Sequence, residues 1–554
     1  MKICRPFWWL GLSSICLSLL TTARADVRLP AIFGDHMVLQ EKSKLPVWGW
    51  ASPGEKITVT FKSQKQTTTA AADGTWRLDL KPVDPSSEAG TLTVVGNNTL
   101  TFTDVLVGDV WVASGQSNME FGIQTDSRGK ETITNATDSS IRFFFVPWAT
   151  ALQPQTDIGP IVPSSPLNGK WVVCSPETMG ANWAWHGFSA VGYYFTKEIR
   201  RVTGNPIGMI AAYKGGTPAE AWTSISGLEK DKVLSYFVAE HQKRVDNFTN
   251  AQAAYSKAHA DYEIKIKEWR AASEKAKAAG EVVPANSAPK EPTRPDGGYG
   301  APGNLFNGMI APLIPYAIKG VIWYQGESNG DNMKEAGEYS ILFPRMIKDW
   351  REKWAQENFP FLFAQLPNFN APSTTPAEGR WAWVRDAQLK TLALPNTGMA
   401  VTIDIGDANN IHPPDKLYVG QRLAMTARHV VYGQDLVYSG PIYDLMKVNG
   451  NKIRIKFKSL GGGLTLGTPP PTAAGKTFPP PTELTGFGIA GVDQKFVWAK
   501  AILDGNTVIV SSDEIQQPVA VRYDWGQNPS GDLYNMEGLP ASPFRTDDWP
   551  PDSH

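Results

Sequence analysis

The hydrophobic patterning of this chain changes character twice. From Asp26 to Asp104, apolar and polar residues alternate with period two. Lys56-Ile57-Thr58-Val59-Thr60-Phe61 does so, as does Trp76-Arg77-Leu78-Asp79-Leu80 after an Asp73-Gly74 turn, and Thr91 to Val95 supplies another strand. Period two places alternate side chains on one face of a strand, which predicts a small β-sandwich over residues 26–104. From Val105 the strands become short and wholly apolar: Val110–Val112, Ile141 to Val146, Ile207 to Ala212, Gly320 to Trp323, Phe361 to Gln365 and Met399 to Ile403. Longer helical segments separate them. Strands of this kind are buried on both faces, so residues 105–434 are expected to form an α/β domain, a parallel sheet with helices on either side. Alternation then returns in Lys452 to Phe457, in a hairpin of Phe496–Ala501 and Val508–Val510 about Asp504-Gly505, and in Val519 to Tyr523. This predicts a second β-sandwich-like domain over 435–554.

One insertion, about 228–300, interrupts the α/β pattern. Leu234, Phe237, Val245, Phe248, Tyr255, Tyr262, Ile266 and Trp269 recur at three- and four-residue steps among charged and Ala-rich positions. The pattern predicts one long amphipathic helix, or two, with the apolar stripe as a packing seam. A dimer contact and a wall of the substrate cleft are the alternatives. A Pro-, Gly- and Ala-rich loop follows from Glu281 to Gly303.

Residues 1–25 read as a signal peptide. Lys2 and Arg5 precede a short apolar run, Phe7 to Leu20, and Ala23-Arg24-Ala25 fits the small-x-small cleavage pattern, which makes Asp26 the mature start. Export to the periplasm or the extracellular space is therefore expected, and no later run is long enough to span a bilayer. Cys4 and Cys16 leave with that segment. Cys174 remains alone, so no internal disulfide is expected, and nothing around Trp171-Val172-Val173-Cys174 activates the thiol.

A net charge of −1 supplies no basic field for nucleic acid or an anionic membrane. Twenty Trp and sixteen Tyr are compatible with a carbohydrate ligand, because aromatic faces stack on sugar rings as well as filling cores.

Candidate chemistry lies at the strand ends. Val110 to Ser114 breaks at Gly115 and is followed by Gln116-Ser117-Asn118-Met119, presenting a serine hydroxyl where open α/β sheets place their sites. A serine nucleophile needs a base and a stabilised oxyanion. Among seven histidines, His412 has the best setting, in a loop after a strand that ends Asp404-Ile405-Gly406-Asp407. Either aspartate fits behind the imidazole, or both merely cap the turn. Asn329, after Gly320 to Tyr324, offers a side-chain amide, and Gly215-Gly216, after Ile207 to Ala212, offers backbone N–H groups.

These stretches together resemble the sialate O-acetylesterase branch of the SGNH (GDSL-like) hydrolases. The resemblance rests on Gly115-Gln116-Ser117-Asn118-Met119, Gly215-Gly216-Thr217, Trp323-Tyr324-Gln325-Gly326-Glu327-Ser328-Asn329 and Ile411-His412-Pro413, with Val38-Leu39-Gln40 and Asn307 to Leu313 in support. It implies a flavodoxin-like SGNH hydrolase core flanked by β-sandwich domains. It also implies deacetylation of sugars, whether sialic acid or a plant polysaccharide such as xylan or xyloglucan. Ser117 is then the nucleophile, His412 the base, and Gly216 and Asn329 the oxyanion hole with the Ser117 N–H. Gln116, Gln325 and Glu327 are expected to bind substrate. No metal and no cofactor are expected, and monomer and homodimer remain open. The pattern departs in one place: where the family carries an aspartate two or three residues before the histidine, this chain has Asn410 and Asn409. Asp407 is the first substitute, Asp404 the second, and a Ser–His dyad the third possibility. Readings from two other classes are a non-catalytic sugar-binding protein and a metal-dependent hydrolase using Asp404, Asp407 and His412 as ligands.

Overall fold

A single strand of 17 residues, Thr99–Gly115, organises the molecule. Its first six residues alternate between exposed and half-buried, and the remainder, from Val105, is buried without interruption. The switch marks the place where a one-faced antiparallel neighbourhood gives way to a sheet covered on both sides. The upstream part pairs antiparallel with Ser86–Val95, and the downstream part lies between two parallel strands. The border expected between residues 104 and 105 therefore falls inside one continuous strand. The computed structural model describes residues 26–160, 167–181, 183, 185–281, 287–356, 358–376, 379–529 and 531–550. The expected signal segment, residues 1–25, lies outside them.

The central sheet contains β1 (Thr99–Gly115), β2 (Asp138–Phe145), β3 (Trp171–Cys174), β4 (Ile207–Tyr213), β5 (Gly320–Tyr324), β6 (Phe361–Ala364) and β7 (Thr397–Ala400), in the order β7-β6-β5-β1-β4-β2-β3. Every neighbouring pair is parallel except β2–β3. Along the six parallel strands the order is β2-β4-β1-β5-β6-β7, with β2 and β4 on one side of β1 and β5 to β7 on the other, as in a doubly wound sheet. The chain therefore changes sides of the sheet at β1.

Helices cover both faces. Trp111 and Ser114 on β1 point to opposite sides, and Trp323 on β5 is in register with Ser114. Trp111 packs edge-on against Phe195 of α2 (Ala190–Thr203), and Trp323 packs against Phe343 and Trp350 of α4 (Met333–Trp354). α2 starts at Ser189, whose side chain accepts the Gly192 N–H at 3.0 Å, and stops at Gly204 in the left-handed region. α6 (Leu417–Val430) lies so close to α2 that a Cβ on Gly420 would sit 2.5 Å from Tyr194 Cβ. The N-terminal strands and the central sheet share one hydrophobic core, whereas Ile453, Phe487, Val508 and Tyr523 belong to a separate core of the C-terminal strands.

The insertion is one helix, α3 (Ser235–Ala278), of 44 residues and about 66 Å long. Its apolar stripe is the more covered side: Phe237 and Ile266 are buried and Val245, Phe248, Tyr255, Tyr262 and Trp269 half-buried, whereas Ile264, off the stripe, is 60% exposed. Good helix formers and i,i+4 pairs such as Glu240–Arg244 support the exposed side. Among the described residues, no helix is long and apolar enough to cross a membrane. Cys174 is buried, and burial pushes its thiol up to about 12, as an unactivated cysteine should behave.

Candidate active site

Three chain turns meet at the carboxyl edge of the sheet. β1 and β5 end side by side, Gly115 opposite Tyr324. Gly115 has φ +136°, and a Cβ there would lie 2.2 Å from the Tyr324 carbonyl oxygen, so no other residue fits this break. The Gln116 N–H donates to that same carbonyl at 3.0 Å, and α1 (Ser117–Glu120) begins at once. Ser117 is half-buried, and neither its hydroxyl nor its N–H has a hydrogen-bond partner among the described residues. The free N–H is one of the orphan donors that every helix start leaves.

The second turn follows β4. The Gly215 N–H donates to Glu120 Oε2 at 2.5 Å, and a Cβ on Gly215 would sit 3.3 Å from Ser117 Cβ. Gly215 thus lies directly against the serine, with Gly216 next in the chain. Gly216 has φ +70° with open space where a side chain would be, and its N–H donates to no described residue. Glu120 clamps the two turns together. Burial raises its pKa, opposed by Lys214 and by the Gly215 N–H. The sequence reading missed Glu120; its position three residues after Ser117, on the same helical face, was the available signal.

The third turn, after β5, corrects several expectations. Gln325 is fully buried: its Nε2 donates to the Thr217 carbonyl and to Asn329 Oδ1, and its Oε1 accepts from the Tyr339 hydroxyl at 2.8 Å. Glu327 is also buried, with Oε1 accepting from Asn118 Nδ2 at 2.5 Å. Gln116 Oε1 accepts the Ser328 N–H at 3.2 Å and, more weakly, the Gly326 N–H. These three side chains, expected on the substrate, instead hold the motifs against one another. Asn329 is 0% exposed; its Oδ1 accepts the Ala219 N–H and its Nδ2 donates to Glu220 Oε2 at 3.0 Å. It anchors the turn that carries Gly216, and one amide N–H is left for other use.

His412 reaches the same edge from the loop before α6. Its backbone N–H donates to Asn410 Oδ1 at 2.9 Å, and its ring lies edge-on to Trp185, 4.8 Å between centroids. No described residue hydrogen-bonds either ring nitrogen. Burial first, and the Lys416 charge second, push the imidazole down to about 4, so it is neutral over most of the pH range. Neither expected aspartate stands behind it. Both Asp404 oxygens are taken by Arg422, at 2.5 and 2.7 Å, with the Tyr534 hydroxyl also on Oδ2. Asp407 accepts the Asn409 N–H at 2.9 Å, closing its own turn. The link between the two halves of the site is Asn118, whose Nδ2 also donates to the Ile411 carbonyl at 3.0 Å, one residue before His412.

A half-buried serine hydroxyl against a glycine turn, with an imidazole on the same edge, is equipped for acyl transfer. Similarity searches agree with that chemistry. Residues 302–429 match the family model described as carbohydrate esterase, sialic acid-specific acetylesterase. Mouse sialate O-acetylesterase is 30% identical over 464 residues, covering 77% of this chain and 79% of the mouse protein. The chain belongs to the sialate O-acetylesterase family. It is a carboxylic ester hydrolase. The human sialate O-acetylesterase is 28% identical over 469 residues, covering 78% of this chain and 76% of the human one. Among solved structures, a carbohydrate acetylesterase from Xanthomonas citri is 36% identical with a TM-score of 0.74, covering 94% of this chain and all of that one. The match to these relatives therefore extends well beyond the motif-bearing sheet.

Proposed function

We propose that this enzyme removes acetyl groups from carbohydrate hydroxyls through a Ser117–His412 dyad on an SGNH-type core. The observation that supports the reading is the contact of Gly215 with Ser117; the N–H groups of Ser117 and of Gly216, the residue after Gly215, have no hydrogen-bond partner among the described residues. Ser117 Oγ attacks the acetyl carbonyl as His412 takes its proton. The negative charge that develops on the carbonyl oxygen is met by the two N–H groups, with the remaining Asn329 N–H as third donor. Collapse expels the sugar oxygen, which takes the proton from His412, and leaves an acetyl ester on Ser117. Water, deprotonated by the same imidazole, then releases acetate. Export through residues 1–25 and β-sandwich domains on either side of the core belong to the same proposal.

The names of the relatives suggest two substrate classes, acetylated sialic acid and other acetylated carbohydrate. Acetate release from acetylated sialic acid, acetylated xylan and acetylated xyloglucan, compared on one preparation, decides between them. A serine-directed organophosphonate should inactivate the enzyme and add its mass to the peptide containing Ser117. Full activity after stoichiometric treatment, with no labelled peptide, sinks the mechanism.

A dyad also makes a prediction about the carboxylates. Asp407→Asn should keep kcat/KM for an aryl acetate within about 3-fold of the parent. A loss of about 10³ to 10⁴-fold, the cost of removing a true triad acid, would instead place Asp407 behind His412.

A further inference from the structure

Lys416 is a lysine with 1% exposure, four residues after His412. A fully buried ammonium is costly unless its protons and charge are met. Its Nζ donates to Asn118 Oδ1 at 2.5 Å and faces the Phe121 and Tyr324 rings at 4.8 and 5.7 Å. Its backbone N–H donates to Asp126 Oδ2 at 2.8 Å. Asn118, the residue after Ser117, donates from Nδ2 to Glu327 Oε1 and to the Ile411 carbonyl. Glu327 Oε2 is buried with no hydrogen-bond partner among the described residues. One buried chain, Lys416–Asn118–Glu327, therefore joins the turn bearing the nucleophile, the end of β5 and the loop bearing the base.

We propose that Lys416 is a positioning residue for catalysis: by gripping Asn118 it fixes Ser117 and His412 relative to each other, with Glu327 as its buried counter-charge. The inference rests on the Ser117–His412 reading above. Ser117 and Asn118 are consecutive, so a shift of the Asn118 amide turns the Ser117 hydroxyl. Ile411 and His412 are consecutive too, so the same shift releases the base loop. The geometry also has an electrostatic side. The charged groups around Lys416 are Glu327 from the turn after β5, Asp126 from the loop after α1, and Asp415 from its own loop, with the His412 imidazole as a titratable neighbour. Asp415 is in turn paired with Arg128 at 2.9 Å. Burial is the main brake on protonation of His412 and the Lys416 charge adds to it, which keeps the ring available as a base.

The test is Lys416→Met, which keeps the stem and removes the ammonium. On an aryl acetate, kcat should fall about 10- to 100-fold with KM within about 3-fold, the pattern of a misplaced catalytic group. The acidic limb of kcat/KM, expected near pH 4 in the parent, should move to higher pH, since removing a positive neighbour favours the imidazolium. A packing role alone would lower the melting temperature but leave that limb in place. Lys416→Met/Glu327→Gln removes both buried charges together and should show the same kcat loss and the same limb shift in a soluble protein. Parental kcat and an unmoved limb in either folded variant overturn the proposal. A pair that cannot be removed even together belongs to the fold rather than the site, and that result overturns it as well. Ser117→Ala, run alongside, separates the two ideas: if it stays active the nucleophile reading fails, and if it is inactive while Lys416→Met matches the parent, only the role of Lys416 fails.

Discussion

Ser117→Ala is expected to lower kcat/KM for an acetate ester by about 10³-fold or more while leaving the protein folded. The second half of that expectation follows from the structure. The Ser117 hydroxyl has no hydrogen-bond partner among the described residues, so its removal breaks no contact that holds the turn. The fold there depends on other groups: Gly115 at φ +136°, the Gln116 N–H on the Tyr324 carbonyl, and Glu120 on the Gly215 N–H. The backbone donors at 117 and 216 stay in place, so a residual rate above that in water should persist, as when a nucleophile is removed from an intact oxyanion site. The measurement is acetate release by the purified variant beside its melting temperature. Parental turnover at unchanged stability would remove Ser117 from the mechanism.

The second large effect concerns an aspartate that the sequence alone placed near the chemistry. Asp404→Ala should destabilise the protein by about 3–5 kcal/mol, the range for breaking a buried ion pair from one side. The Arg422 guanidinium is buried, and its Nη1 and Nη2 both donate to Asp404. Without the carboxylate, the Val401 carbonyl, at 2.8 Å, is its one remaining acceptor among the described residues. Tyr534, whose hydroxyl donates to Asp404 Oδ2 at 3.1 Å, lies in a C-terminal strand, so the loss also loosens the junction between the C-terminal region and the central sheet. The protein that does fold should hydrolyse an aryl acetate at close to the parental kcat. Denaturant unfolding beside kcat checks both halves. A stable protein with kcat reduced about 10³-fold would return Asp404 to a triad.

The contrast between those two residues shows what could be read early. Strand ends were legible because period-two alternation and wholly apolar runs report directly on whether one face or both faces are buried, and the change at Val105 is visible in the sequence and in the burial of β1 alike. Glycines at 115 and 216 were legible as chain breaks. Roles within the polar motifs were not. Gln116, Gln325 and Glu327 look like ligand-binding side chains in one dimension, because amides and carboxylates that hold two loops together have the same composition as those that hold a sugar. The α3 stripe was legible for the same reason as the strands: a three- and four-residue period marks the less exposed face of a helix.

The sequence by itself determined the mixed α/β class, the chain break at Gly115 and the family, since local geometry and hydrophobic period are properties of neighbouring residues. It left three possibilities behind His412. Only the tertiary structure shows where the charged groups near His412 go: Asp404 to Arg422, Asp407 to its own turn, and Lys416 and Glu327 to the two ends of the Asn118 amide. Pairing between ionic groups depends on distance in space and on shared burial, and residues 118, 327 and 416 become neighbours only when three loops close over one sheet edge.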